Sequence, residues 1–191
     1  MRRALLLVLA LLGPIQSLDD QVQAAVQAGR RPGLEAPMNA LTRLARPVTV
    51  LSGLLAIALL DGAAGVPTVR GCIAVLIPVN VVVETLKWCV HRTRPDGDTR
   101  RANSSFPSSH AANALALAWM LSRRWPRLRI PFMTLAVLVS YSRMYLHRHY
   151  LSDVLVGAAL GLGIAVLMCR LWPALDPATA RKAADARPPS G

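Results

Sequence analysis

Acidic side chains are scarce in this sequence. Ten Asp and Glu stand against 22 Lys and Arg, leaving a formal net charge of +12. Where histidine and arginine gather, the carboxylates are too few and too scattered for a two-metal carboxylate centre, so hydrolytic chemistry of that kind is disfavoured. Cysteine is also sparse. Cys72, Cys89 and Cys169 are odd in number, widely spaced and set in or at the ends of apolar runs. That pattern suits neither a disulfide framework nor a C-x-x-C metal or redox site, and they read as small buried hydrophobes. No repeat of 20 to 50 residues is visible, and no second segment differs in composition, so one domain is expected.

What is present is apolar. The hydrophobic fraction is 53% and the mean hydropathy +0.39, with uncharged runs recurring along the chain, which points to an integral membrane protein. A charge of +12 suits nucleic acid, an anionic membrane surface or an anionic substrate, and only position decides between them. MRRALLLVLALLGPIQS, residues 1–17, has the basic start and apolar stretch of a signal peptide or of an uncleaved N-terminal anchor, and composition favours neither. Residues 18–46 turn amphipathic and read as interfacial helices. Five helical spans follow at about 48–67, 70–91, 108–122, 130–147 and 152–172. The expected fold is therefore all-α: a polytopic membrane helix bundle of five spans, an N-terminal signal or anchor helix, and interfacial helices. The lipid-embedded domain covers 18–172, and 173–191 reads as a basic, disordered cytoplasmic tail.

In the last span Gly157 and Gly161, followed by Gly163, are expected to let a neighbouring helix approach closely. The short basic loop RRWPRLR at 123–129 and the basic tail fall on the cytoplasmic side by the positive-inside rule. The loop 92–107 and the turn 147–153 then share the opposite face. HRTRPDGDTRRA at 91–102 is basic yet assigned outside, an exception that an anion-binding site would explain.

Three clusters converge on that face. In KWCVHRTRP, Lys87 and Arg94 bring two cations to a membrane boundary, where lone cations ordinarily snorkel to headgroups. In SSFPSSHAAN, Pro107 and Ser108 mark a helix N-terminus, whose free amides and positive dipole end form an anion site beside the Ser108 hydroxyl and His110. In SRMYLHRHYLSD, His149 and Asp153 are one helical turn apart, so the carboxylate is placed to accept an imidazole N–H and leave the other nitrogen free. A phosphoryl group in transfer needs several donors at once, and Lys87, Arg94, Arg143, Ser108 and the amides around Ser109 and His110 supply them. A His-only metal site is disfavoured, because His91 sits on another segment and His147 and His149 lack helical ligand spacing.

These three segments resemble the signature of the type 2 phosphatidic acid phosphatase superfamily. Lys87 to Arg94-Pro95, Pro107-Ser108-Ser109-His110, and Ser142-Arg143 to His149 to Asp153 match its three motifs. The chain departs once, with Ser109 where the family usually has glycine, so an altered phosphate pocket is expected there. The resemblance implies a metal-independent, cofactor-free lipid phosphatase working through a phosphohistidine. His149 would attack phosphorus, Asp153 would orient it, and His110 would protonate the departing oxygen. Lys87, Arg94, Ser108, Ser109 and Arg143 would bind the phosphate. By spacing, Glu84, one turn before Lys87, is placed either to orient it or to serve helix packing or the membrane edge. His147 and Arg148 read as interfacial residues near lipid headgroups.

The expected partners are the bilayer and a lipid bearing a phosphate or diphosphate, without nucleic acid. Undecaprenyl diphosphate is favoured slightly over phosphatidylglycerol phosphate, phosphatidate and lipid A phosphates. The expected location is a bacterial inner membrane, multi-pass, with the site facing the periplasm or exterior. Two other readings stand beside this one: transfer of the phosphoryl group to an acceptor other than water, and a non-catalytic protein binding anionic lipid.

Overall fold

The computed structural model describes residues 2–100 and 103–179, with 2–14 described in their backbone alone. No strand occurs among the described residues. The helices are α1 (Arg2–Ala28), α2 (Glu35–Leu44), α3 (Pro47–Leu60), α4 (Gly62–Val90), α5 (Ser109–Arg124), α6 (Arg129–Tyr145) and α7 (Leu151–Leu171). α5 lies at the centre, packed against α4, α6 and α7, while α1 and α2 lie across one end.

Helix periodicity explains which faces turn inward. α4 buries Gly65, Thr68, Cys72, Val75, Val79 and Val83, and α7 buries Gly157, Gly161, Ala165 and Cys169, each a stripe at three- or four-residue spacing. The opposite faces expose Ile73, Ile77, Val81, Leu155 and Leu167, an apolar belt suited to lipid. Gly157 and Gly161 play the expected packing part: a Cβ on either would run into the backbone of Ser108 or Ala112 on α5. Gly163 does not, since a Cβ there would meet nothing within 4 Å.

The chain is a membrane protein of helical bundle type, and among its described residues two helices, or three spans if a bent pair counts as one, pass on length and apolarity. α4 and α7 are each long and apolar enough to cross a membrane, and Pro32–Leu44 with Pro47–Leu60 qualify only as a pair bent by 60°. α5 and α6, at 16 and 17 residues, are shorter than the roughly 20 a full crossing takes. The boundary expected near residue 68 lies at Asp61, because Gly62 takes a left-handed conformation (φ 54) that ends one helix and begins the next. Asp61 is held there by Arg124 at 2.6 Å.

At the N-terminus α1 runs unbroken past residue 17, so the expected change from leader to interfacial helix is not marked by any turn. At the other end residues 173–179 are docked: the 3-10 turn Pro173–Leu175 packs against α4 and Asp176 pairs with Arg123 at 2.5 Å. The rest of the expected tail, 180–191, lies outside the described residues. Cys72 and Cys169 are buried as expected, whereas Cys89 is exposed near the end of α4.

Candidate active site

The loop between α4 and α5, the turn between α6 and α7, and the first turns of α5 and α7 meet at one end of the bundle. They enclose a polar cavity of about 570 Å³ whose walls include Lys87, Arg94, Ser109, His110, Arg143 and His149. Most of the residues singled out from sequence are therefore brought together. Two are not in the wall: Ser108 and Asp153 lie behind it.

His149 is delivered by the way α6 stops. His147 takes a left-handed conformation (φ 58), and the His147 and Arg148 amides donate to the carbonyls of Met144 and Arg143, each at 3.0 Å. These are the two bonds of a Schellman motif, here built on a histidine instead of the usual glycine. The turn brings the His149 amide to 3.3 Å from the Arg143 carbonyl, so nucleophile candidate and cation share one anchor.

The His149 ring is 2% exposed, and its Nδ1 lies 2.7 Å from the carbonyl oxygen of Ser105. A carbonyl can only accept, so Nδ1 carries the proton and Nε2 keeps its lone pair. Asp153 does not make this bond, contrary to the sequence expectation. Its Oδ2 is 3.8 Å from Nδ1, where it acts as a charge and not as an acceptor. The reason is competition: Asp153 already accepts from Ser105 Oγ at 2.5 Å, the Tyr150 amide at 2.8 Å and Arg92 at 2.8 Å. Ser105 therefore joins the pair, its hydroxyl on the carboxylate and its carbonyl on the imidazole. Burial pushes His149 down to about 4, the charges of Arg143 and Arg94 add to this, and Asp153 opposes it.

The cations come from three elements. Lys87, on the last turn of α4, is oriented by Glu84 at 2.9 Å, as its i,i+3 spacing suggested. Glu84 also accepts from Ser109 Oγ at 3.3 Å, so the serine in the glycine position is turned toward α4. Arg94, 8% exposed, donates from Nε to the Asn103 carbonyl at 2.7 Å. Burial first, and then the charge of Arg148, hold its guanidinium below its ordinary range. Arg143 donates to Thr42 Oγ1 at 2.5 Å, and its Nε is buried with no hydrogen-bond partner among the described residues.

Ser108 caps α5: it is fully buried behind the wall, and its Oγ accepts from the Ala111 amide at 3.4 Å. Arg148, expected among lipid headgroups, lines the cavity and pairs with Asp96. His147 stays outside the cavity and faces α1 across a separate hollow.

Sequence reasoning missed Thr42, Ser105, Arg92 and the pair Asn80–Asn113, whose side chains exchange two hydrogen bonds of 3.1 Å on the cavity wall. Ser105 and Arg92 lie inside quoted motifs and were the legible ones. Thr42 and Asn80 carry no local signal. No group of three or more His, Cys, Asp or Glu side chains suited to a metal forms among the described residues.

Comparison with known proteins follows the same lines. The chain is 31% identical over 166 residues to phosphatidylglycerophosphatase B of Bacillus subtilis (strain 168), covering 78% of this chain and 80% of that one. It is 37% identical over 90 residues to a lipid A 1-phosphatase of Porphyromonas gingivalis, covering 45% of this chain and only 20% of that relative. Among solved structures, a transmembrane PAP2 type phosphatidylglycerolphosphate phosphatase from Bacillus subtilis superposes with a TM-score of 0.68 at 27% identity, over 83% of this chain and 86% of that one. LpxE of Aquifex aeolicus shares the fold, with a TM-score of 0.71 at 23% identity over 80% and 95% of the two chains. The PAP2 superfamily model matches residues 69–176, which contain all three motifs with Lys87, Arg94, Arg143, Arg148 and both histidines of the cavity wall, and the chain belongs to that superfamily.

Proposed function

We propose that the cavity takes the terminal phosphate of a membrane lipid and that His149 removes it through a phosphohistidine. The observation that carries this reading is the pairing of a buried imidazole, its Nδ1 occupied by Ser105, with the orphaned Nε of Arg143 on the same cavity wall. The Nε2 lone pair forms a bond to phosphorus while the bond from phosphorus to the ester oxygen breaks. His110 gives that oxygen its proton. His110 then takes a proton from water, whose oxygen attacks the phosphohistidine, releasing inorganic phosphate and restoring Nε2. Lys87, Arg94 and Arg143 hold the three phosphate oxygens as charge spreads over them, and Ser109 with the first amides of α5 completes the cradle.

Relatives named as a phosphatidylglycerophosphatase and lipid A 1-phosphatases support a lipid phosphatase within the superfamily. The favoured substrate is a glycerophospholipid phosphomonoester such as phosphatidylglycerol phosphate, supported by the relative matched over most of both chains. The undecaprenyl diphosphate expected from sequence becomes the comparison substrate. The site and the basic loop 123–129 sit at opposite ends of α5, about 24 Å apart at 1.5 Å per residue, which supports an outward-facing site in a bacterial inner membrane.

Purified protein in detergent, given phosphatidylglycerol phosphate, phosphatidate and undecaprenyl diphosphate in parallel, tests this. Phosphate release from the monoesters is expected, with total loss in His149→Ala. Release by that variant at a rate near wild type would refute the assignment of the nucleophile.

A further inference from the structure

The site is braced from behind by a helix that the family motifs do not include. Asp19, two-thirds of the way along α1, is 1% exposed. Its Oδ1 accepts from the Ser152 amide at 2.8 Å, and its Oδ2 accepts from the Ser152 hydroxyl at 2.5 Å and from Arg92 at 2.7 Å. Ser152 is in the first turn of α7, where backbone amides have no partner within the helix, so a carboxylate from α1 caps α7 from outside. Arg92 forks between the two helices. One arm reaches Asp19 and Gln16 Oε1 (2.8 Å) on α1, and the other reaches Ser152 Oγ at 2.7 Å and Asp153 at 2.8 Å on α7. Its plane stands over the Tyr150 ring, 4.2 Å from the centroid. The residues held by this fork, Tyr150, Ser152 and Asp153, follow directly on His149.

We propose that Asp19 is a positioning residue of the phosphatase reaction: through Arg92 and Ser152 it fixes the first turn of α7, and so sets Asp153 and His149 against the phosphate. The part of α1 around Asp19 is thereby a working part of the enzyme. Asp19 is not in the cavity wall, so it touches no substrate and acts only through its partners. Arg92 carries one charge between two carboxylates. With Asp19 present, the guanidinium is shared and held in one geometry. Without it, Arg92 is free to turn wholly onto Asp153, and the acceptor set that orients Ser105 and His149 rearranges.

The proposal rests on the reading of His149 as nucleophile, and the test separates the two. Asp19→Asn keeps an acceptor for the Ser152 amide but sets an NH2 against Arg92. It is expected to lower kcat about tenfold, the scale of a sub-ångström displacement at the reacting atom, with KM within about twofold because the cavity cations are untouched. In an Arg92→Gln background the same change is expected to cost less than about twofold, the signature of two residues acting as one device. A kcat within twofold of wild type, a rise in KM alone, or full additivity with Arg92→Gln would each overturn the proposal. Thermal unfolding is followed alongside. If Asp19→Asn does not fold, Ser152→Ala decides instead: it cuts the hydroxyl link without altering charge, and kcat within twofold of wild type would overturn the proposal, whereas a several-fold fall supports it. His149→Ala in the same assay distinguishes the failures. Activity lost there but unaffected in Asp19→Asn sinks only this inference, and activity retained there sinks the reading beneath it.

Discussion

Replacing Gly161 with alanine puts the seam between α5 and α7 to a direct test. An ideal Cβ at Gly161 would stand 2.6 Å from the Ala112 carbonyl carbon and 2.8 Å from its Cα, where ordinary contact begins at 3.4 Å. The neighbours are backbone and cannot swing aside, so α5 must retreat by about 1 Å, an overpacking that costs roughly 1–3 kcal/mol. At this chain length that lowers the unfolding temperature by roughly 3–10 °C. Ala112 is one turn into α5, next to Ser109 and His110, so the retreat withdraws those side chains from the cavity. A displacement of that size costs up to about 100-fold in kcat. Gly163→Ala is the control, the same change two residues along at a position with nothing within 4 Å. There alanine replaces a helical glycine and is expected to leave activity intact and stability equal or higher by up to about 1 kcal/mol. Thermal unfolding in detergent and phosphate release read both variants. Gly161→Ala matching Gly163→Ala in both measurements would refute the claim that the seam places α5.

Other outcomes follow from the same geometry. Because burial takes His149 down to about 4 from 6.5, Nε2 stays unprotonated through mildly acid conditions. The acid limb of kcat/KM attributable to it should fall near pH 4, and a limb at pH 6.5 would contradict the buried environment. The same shift makes acid destabilising: below 6.5 the unfolded chain binds a proton that the folded one refuses, so stability from this residue drains away as pH falls toward 4. Thr42→Val removes the hydroxyl that holds Arg143 and should raise KM about fivefold, an unchanged KM counting against a role for α2 in the site. His147→Gly relieves a left-handed histidine and should stabilise the protein by about 0.5–1 kcal/mol without loss of phosphate release. A lower melting temperature would show that the His147 side chain does more than occupy the turn.

How legible the site was depended on distance along the chain. Glu84 beside Lys87, and the cap at Ser108, follow from spacing within one helical turn, and the sequence was enough to pair or place them. His149 and Asp153 were correctly read as neighbours but wrongly as hydrogen-bond partners, because the acceptor that wins, the Ser105 carbonyl, is 44 residues away and is a backbone atom that no side-chain pattern reveals. Thr42 reaches Arg143 across 101 residues and Asp19 reaches Ser152 across 133, and each looked like one more polar residue on an amphipathic stretch. For the fold, hydrophobicity located helices but not their ends. Asp61-Gly62 breaks an apolar run that hydropathy alone carries to residue 67, since the left-handed glycine and the pairing with Arg124 are invisible to an average over residues.

The fork of Arg92 also bears on how the protein is made. A chain threaded into the bilayer only as far as α6 already carries Lys87, Arg94, His110 and Arg143, yet it has no His149, and Asp19 and Arg92 still await Ser152 and Asp153. Such a chain is expected to release no phosphate, while Asp19 still has Arg92 to pair with. Arrival of the last long helix closes the circuit from residue 19 through Arg92 to residue 153.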